Sequence, residues 1–485
     1  MTFPQDKTEP KMKPVSANRT EGPPAFLLWG VMILFMLIVI GFFSGIWAFN
    51  NVLTAGQQVR VINNAPFMDV FLQRNPTPEG GVLPTVDASQ AGGINPLDLL
   101  QTPITVATSE PDTASEPASA ESTALPTNTP LPTNTPLPTN TPLPTNTPLP
   151  SDANAGTNSQ VVSANTAFLN LPASHRNTGF SWARQTWNNC GPATITTALS
   201  YFGWQEDQDY AKSFLRPNRE DKNVSPQELV DYVNEQTGVN AIYRVGGTVD
   251  LLQALIAGGF PVIVERGMYF EGYEWTGHYQ ALVAYDDGSN GFYAYDSFLG
   301  NGVNGSGILQ EYAELDSTWR HFNRTFIVVY SDEQETQLRN ILGDYWDEDQ
   351  ALLIAAETAQ AEANANIDDA YAWHNLGSSW AAMGRYEEAS AAFDRAISIN
   401  TLPWRILWYQ FGLFEAYYNT GRYSDVIAFA NSNLNLASEL EESYYWRGMA
   451  YAGQGATSEA IADLRQALRY NPNFEAAQTA LAELQ

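Results

Sequence analysis

Between residues 125 and 150 the hexapeptide Leu-Pro-Thr-Asn-Thr-Pro runs in tandem, and no other feature limits this chain so strongly. Proline removes backbone donors and holds φ near the polyproline value, so the run builds neither helix nor sheet. At about 3.1 Å per residue it reaches about 80 Å. The run predicts a semi-rigid stalk with threonines open to glycosylation. It lies inside a linker, 50–160, that shows no convincing core; a short structured piece over 52–72 is expected, with no function assigned to it. Folded structure must therefore lie to either side.

On the N-terminal side, residues 26–49 read FLLWGVMILFMLIVIGFFSGIWAF, and no charged residue lies between Glu21 and Arg60. As a helix the run spans about 36 Å, against about 30 Å for a hydrocarbon core. A buried soluble helix keeps a polar face, and this one has none. A signal peptide has a shorter core and a nearby small-x-small site. The expectation is an uncleaved transmembrane helix. Lys7, Lys11, Lys13 and Arg19 precede it, whereas after Arg74 there is no Lys, Arg or His until His175. That bias makes residues 1–25 a cytoplasmic tail and places everything after the helix outside, in a single-pass cell-membrane protein.

The chain carries 24 basic and 53 acidic residues, a formal net charge of −29. Nucleic-acid binding needs a basic footprint, so that class is excluded. A single cysteine, Cys190, forms no intramolecular disulfide, and is either an apolar filler or a reactive group. With one Cys and four His, no metal site of the Cys/His kind is expected, and no cofactor.

The C-terminal region, 345–485, is helical and repetitive. Trp373, Leu376, Gly377 and Trp380 fall at helical spacing, and a Gly384-Arg385-Tyr386 turn leads to Ala389, Phe393 and Ala396. The pattern returns at Gly421-Arg422-Tyr423 and again through Gly448, Tyr451, Gly455, Ala460, Leu464 and Ala467, with turn glycines 37 and 34 residues apart. This resembles the tetratricopeptide repeat over 370–472, with flanking helices at 348–366 and 473–484. An ordinary helical bundle is the competing reading. The middle copy is worn, with Val426 and Asn433 where the other copies have alanine. Such repeats present a concave surface to a protein or peptide partner.

Between stalk and repeats, residues 161–331 hold the chemistry. Cys190 stands in Gln185-Thr-Trp-Asn-Asn-Cys-Gly-Pro-Ala193, followed by Ile195, Leu199 and Phe202 on one helical face. A cysteine at a helix N-terminus is favoured as thiolate, the nucleophilic form. Gly191 and Ala193 are expected to keep the sulfur open to a substrate backbone. The stretch from Gly277 to Tyr285 alternates like a strand with His278 at its start; Asp286-Asp-Gly-Ser-Asn-Gly291 is a turn, and a second strand brings Asp296 back beside the first. Such a hairpin sets Asp296 against the far nitrogen of His278, as general base and orienting acid. His175, His321 and His374 lack this context. Gln185, with the Cys190 backbone N–H, is a candidate oxyanion donor. Trp187, Tyr269, Tyr273 and Trp275 either line a cleft or pack a core.

These runs, in this order, resemble a papain-fold peptidase and within it cysteine peptidase family thirty-nine, which includes the double-glycine leader peptidases. The resemblance covers about a third of the chain. It implies an α+β papain-like domain in which a thiol-bearing helix packs on an antiparallel sheet. By the resemblance, Cys190 is nucleophile, His278 general base, Asp296 its partner and Gln185 an oxyanion donor. The chain departs from the family at Asn189, where leader peptidases often have Asp, and at Ser297, where the usual residue is Pro. It also lacks the phosphate-binding loop of an attached transporter. The expected function is an extracytoplasmic cysteine peptidase acting on a peptide or protein substrate, its repeats binding a protein partner and residues 26–49 meeting the membrane. Hydrolysis and amide transfer share an acyl-enzyme, so the sequence leaves both open. A papain-like domain without activity, serving as a surface scaffold, is the alternative.

Overall fold

The computed structural model describes residues 25–51, 83, 93–101, 103–104, 171–218, 220–269 and 274–485. The hexapeptide run, the segment 52–72 and the tail before residue 25 lie outside the described residues. The chain divides into two compact units: Met1–Gly81 with Tyr269–Trp275, and Val82–Met268 with Thr276–Gln485.

In the first unit, Ala25–Asn51 forms one 27-residue helix without a charged residue. Phe35, Met36, Phe43 and Trp47 on it are exposed. Among the described residues, no helix whose side chains are described throughout is long and apolar enough to cross a membrane. What the structure shows of the apolar run is its helical form.

The second unit is organised on a seven-stranded sheet: β1 (Ser174–Arg176), β2 (Asn240–Arg244), β3 (Val262–Tyr269), β4 (Trp275–Asp286), β5 (Gly291–Asp296), β6 (Ile308–Glu311) and β7 (Phe326–Tyr330). Six strands run in the order β2-β7-β3-β4-β5-β6, and β1 adds to β4. Every pairing with a described register is antiparallel. Alternation along β7 shows why the sheet is covered on both faces. Phe326, Val328 and Tyr330 join one core with the helix Val249–Ala257, whereas Ile327 and Val329 join the opposite core with the helices Cys190–Ser200 and Pro226–Gln236. A period of two sends neighbours to opposite faces, so a run of five apolar residues serves both.

The helix Cys190–Ser200 lies on the sheet through Ile195, Ala198 and Leu199, all fully buried. Burial of one such leucine stabilises by about 1.5–3 kcal/mol. The helix Pro226–Gln236 begins with a capping box in which Ser225 and Glu228 exchange bonds across the first turn, with Pro226 at the first helical position.

Helical hairpins follow in the same unit: Glu348–Ala365, Ala370–Ala382, Tyr386–Ile399, Gly412–Asn419, Tyr423–Leu436, Glu441–Gly453, Thr457–Tyr470 and Glu475–Glu483. The worn middle copy is irregular. After Pro403 the chain makes a 3₁₀ turn, Trp404–Trp408, before a helix of only eight residues. Asn433 suits this irregularity, since its amide donates to the Leu407 carbonyl (2.9 Å) and Ser443 Oγ (3.1 Å).

The expected structureless linker over 50–160 needs one correction. Asn95 caps a short helix, Pro96–Leu99, and Leu99 and Leu100 are buried. Gln360 and Asn364 on the helix Glu348–Ala365 donate to the carbonyls of Leu99 (2.7 Å) and Leu100 (3.3 Å). Two adjacent buried leucines behind a capping Asn-Pro carry enough apolar surface to dock. The segment 101–171 thus begins and ends on the same folded unit.

Candidate active site

Cys190 opens its helix, with Asn189 at the cap position in a non-helical conformation. The preceding loop is held by two residues to which the sequence drew no attention. Gln208 Oε1 accepts from the Thr186 amide (2.8 Å) and Asn189 Nδ2 (2.8 Å), and its Nε2 donates to the Arg184 carbonyl (2.7 Å). Arg216, fully buried, donates to the Trp187 carbonyl (3.0 Å) and Asn189 Oδ1 (3.2 Å). Asn189 therefore acts as a fastener for the nucleophile loop. Gly191 lines the pocket at the sulfur, but a Cβ there would come within 3.3 Å of Val224 Cβ, and Ala193 is buried. These small residues allow the helix to pack closely; they do not leave the sulfur open, as the sequence suggested.

His278 and Asp296 come together as the hairpin predicts. Gln280 on β4 pairs with Asp296 on β5, and the step of two from Gln280 back to His278 returns the histidine to the same face. His278 Nε2 lies 3.1 Å from Asp296 Oδ1, with both side chains buried. Asp296 also accepts from the amides of Phe298 and Leu299 (2.7 Å each) and from Gln280 Nε2 (2.6 Å). Burial alone would raise the Asp296 carboxyl, but His278 and these donors bring it down to about 2. Burial would lower His278, yet Asp296 and Cys190 hold it up at about 10. At Cys190 burial opposes ionisation, and the hydrogen bond and charge of His278, a backbone bond from Tyr279 and the Arg216 charge outweigh it, so the thiol lies below its ordinary value. The arrangement is a buried Cys190–His278–Asp296 line whose charges and hydrogen bonds favour the ionised thiol against burial.

Gln185 lies beside this line. Its backbone amide donates to the Ser297 carbonyl (2.8 Å), and its Oε1 accepts from Ser297 Oγ (2.7 Å), which leaves the amide nitrogen as the donor end. Ser297, in place of proline, thus has a definite use.

Residues 170–326 match the Peptidase_C39 like family. Residues 370–401 and 441–474 match the tetratricopeptide repeat, skipping the irregular middle copy. No curated protein matches the chain. Among solved structures, one titled "MamA RS-1 ArsTM double mutant" matches at 16% identity, covering 31% of this chain and 80% of its own, with a TM-score of 0.25.

The C39-like domain and the repeats are fastened to each other. Arg320 pairs with Glu362 (2.7 Å) and Asp369 (2.8 Å), Arg324 with Glu362 (2.7 Å), and Asn323 donates to Ser379 Oγ (2.9 Å). The repeats also reach the site itself. Tyr409, just after the 3₁₀ turn of the middle repeat, shares a 2.8 Å hydrogen bond with Thr276 Oγ1. A Cβ at Gly277 would stand 2.7 Å from the Phe322 ring and 3.0 Å from the Tyr409 ring, so glycine one residue before His278 lets both rings approach. Tyr409, Glu265 and Tyr279 wall the pocket at Cys190, whose volume is about 10 Å³, room for about one water.

The remaining histidines stand apart from this chemistry. His175 Nε2 is 3.1 Å from Asn177 Oδ1 on the edge strand β1. His321 stacks on Tyr371 with ring centres 3.9 Å apart, and burial and Arg320 bring it down to about 4. Burial brings His374, inside the first repeat, down to about 3. Of the aromatic candidates, Trp187 donates to Glu220, Tyr269 is exposed, Trp275 is buried, and Tyr273 lies outside the described residues. Gln280 was legible in principle, because strand alternation puts it on the face of His278. Tyr409 and Arg216 carry no such local signal.

Proposed function

We propose that the protein is a membrane-anchored cysteine peptidase working outside the cell, with Ala25–Asn51 as its single membrane span. The observation that carries the enzymatic reading is the Cys190–His278–Asp296 line, which ionises a thiol inside the protein. Cys190 attacks a peptide carbonyl and His278, protonated, gives its proton to the leaving amine. Water, activated by the same imidazole, then releases the acyl group from sulfur. Asp296 holds the imidazolium, and the Gln185 amide with the Cys190 N–H receives the oxyanion. The anchoring reading rests on the uncharged 27-residue helix and on Lys7, Lys11, Lys13 and Arg19 close before it, against Arg60 and Arg74 between it and His175. The repeats bind a protein or peptide partner.

One observation favours the alternative, a papain-like scaffold without turnover: the pocket at Cys190 admits about one water while Tyr409 stands in place. A thiol-reactive peptide probe separates the two. The full chain should be labelled at Cys190 and should cleave peptides. Cys190→Ser should lose both, and His278→Ala should lose at least about a thousandfold in kcat/KM. An unlabelled thiol in the native chain, or full activity in either variant, would eliminate the peptidase.

A further inference from the structure

Two cavities meet at Glu265 and Tyr409. One is the pocket at Cys190; the other is a cleft of about 270 Å³ between the C39-like domain and the repeats, and the same two side chains line both. The catalytic line does not use Glu265, although it sits on β3 with 4% exposure and hydrogen-bonds the Tyr279 side chain. Burial holds its carboxyl well above the usual range, so it stands as a neutral acid on the wall between the cavities. A buried acid that the catalytic line does not use calls for a reason, even when neutral and hydrogen-bonded.

The cleft supplies one. Glu348 and Glu415 line it as well, and its one cationic lining residue among the described residues is Arg244. That guanidinium is committed to main-chain carbonyls: Tyr243 and Trp346 at 2.6 Å and Tyr345 at 2.9 Å. Tyr243, Phe411 and Tyr409 add ring surface. Carboxylates over aromatic walls suit a long side chain that buries its methylenes and ends in a positive charge. The chain's overall charge of −29 draws such peptides in from solution.

We propose that this cleft is the substrate-recognition pocket of the Cys190 site and takes a lysine or arginine side chain of the peptide. The proposal rests on the peptidase reading for its name as a substrate pocket. Its occupancy is testable without turnover. The basic side chain enters between the C39-like domain and the repeats, its charge meets Glu348, Glu415 and the ionisable Glu265, and Tyr409 separates it from the scissile bond. Specificity thus depends on both halves of the folded unit.

The experiment uses the full chain in mild detergent, with Cys190→Ala so that ligands survive. A dye-labelled random octapeptide library is passed over the immobilised protein, and the retained peptides are sequenced. Lysine and arginine should be enriched about tenfold at one position. The double variant Glu348→Gln, Glu415→Gln, checked for native melting, should reduce that enrichment below twofold. Absence of enrichment, or enrichment unchanged in the double variant, overturns the pocket. Retained peptides are then given to the protein with Cys190 intact. Enriched but uncleaved peptides leave the pocket standing and remove the peptidase; cleavage without basic preference does the reverse.

Discussion

His278 is buried and still keeps its proton up to about pH 10, because the Asp296 carboxylate lies 3.1 Å away and Cys190 shares the negative charge. The active form needs Cys190 ionised and His278 protonated. Rate should therefore rise as the thiol, already below its ordinary value, gives up its proton, and fall again as His278 loses its own near pH 10. Asp296→Asn removes the charge that supports the imidazolium. Its alkaline limb should move to lower pH, and kcat/KM should fall by about a hundredfold or more. A pH–rate profile of both proteins checks this, and an alkaline limb that stays in place would count against the Asp296 role. At this scale Cys190, His278 and Asp296 are legible because each sits where secondary structure alone fixes its direction: a helix start and two paired strands. Arg216 is not legible, since its effect on the sulfur arises from a fold-back of 27 residues to Asn189.

Among the elements, the 3₁₀ turn Trp404–Trp408 has the largest consequence for the site. A regular repeat would continue as a helix here, and its side chains would follow a helical face. The turn instead carries Tyr409 to Thr276 and Gly277, against the Cys190 pocket. Tyr409→Ala should enlarge that pocket and speed alkylation of Cys190 by iodoacetamide about tenfold, measured by mass spectrometry under native conditions. An unchanged rate would mean that Tyr409 does not limit access. The sequence marks this copy as worn at Val426 and Asn433, but wear shows only that the repeat pattern is relaxed there. The use made of the relaxation depends on what lies opposite.

Taken as a whole, the folded unit buries acids where the repeats meet the C39-like domain. Asp221 and Glu228 approach Glu441 and Glu442, and Asn223 donates to Glu442 (3.3 Å). Arg216, Lys222, Glu220 and Glu439 also face the cluster. Burial dominates, holding Asp221 at about 7 and the glutamates above their ordinary values. These groups keep in the folded state a proton that the unfolded chain releases near pH 4. Their stabilisation is therefore full below about pH 4 and declines as pH rises through about 7. The melting temperature should fall over that interval, and Asp221→Asn with Glu442→Gln should flatten the fall, as read by circular dichroism. An equally steep fall in the double variant would place the titrating groups elsewhere.

The sequence alone determined the helical form of Ala25–Asn51, the thiol-bearing helix, the His–Asp hairpin and the helical repeats. Each follows from a period or a spacing within a few dozen residues, which local sterics and apolar burial translate directly into structure. Tertiary structure decided the rest: that Pro96–Leu99 leaves the linker to dock on the repeats, that Arg216 and Gln208 hold the nucleophile loop, and that a tyrosine from the middle repeat walls the catalytic pocket. Those contacts join residues up to about 260 positions apart. Their energies come from surfaces that become complementary only after both partners have folded, so no local pattern records them.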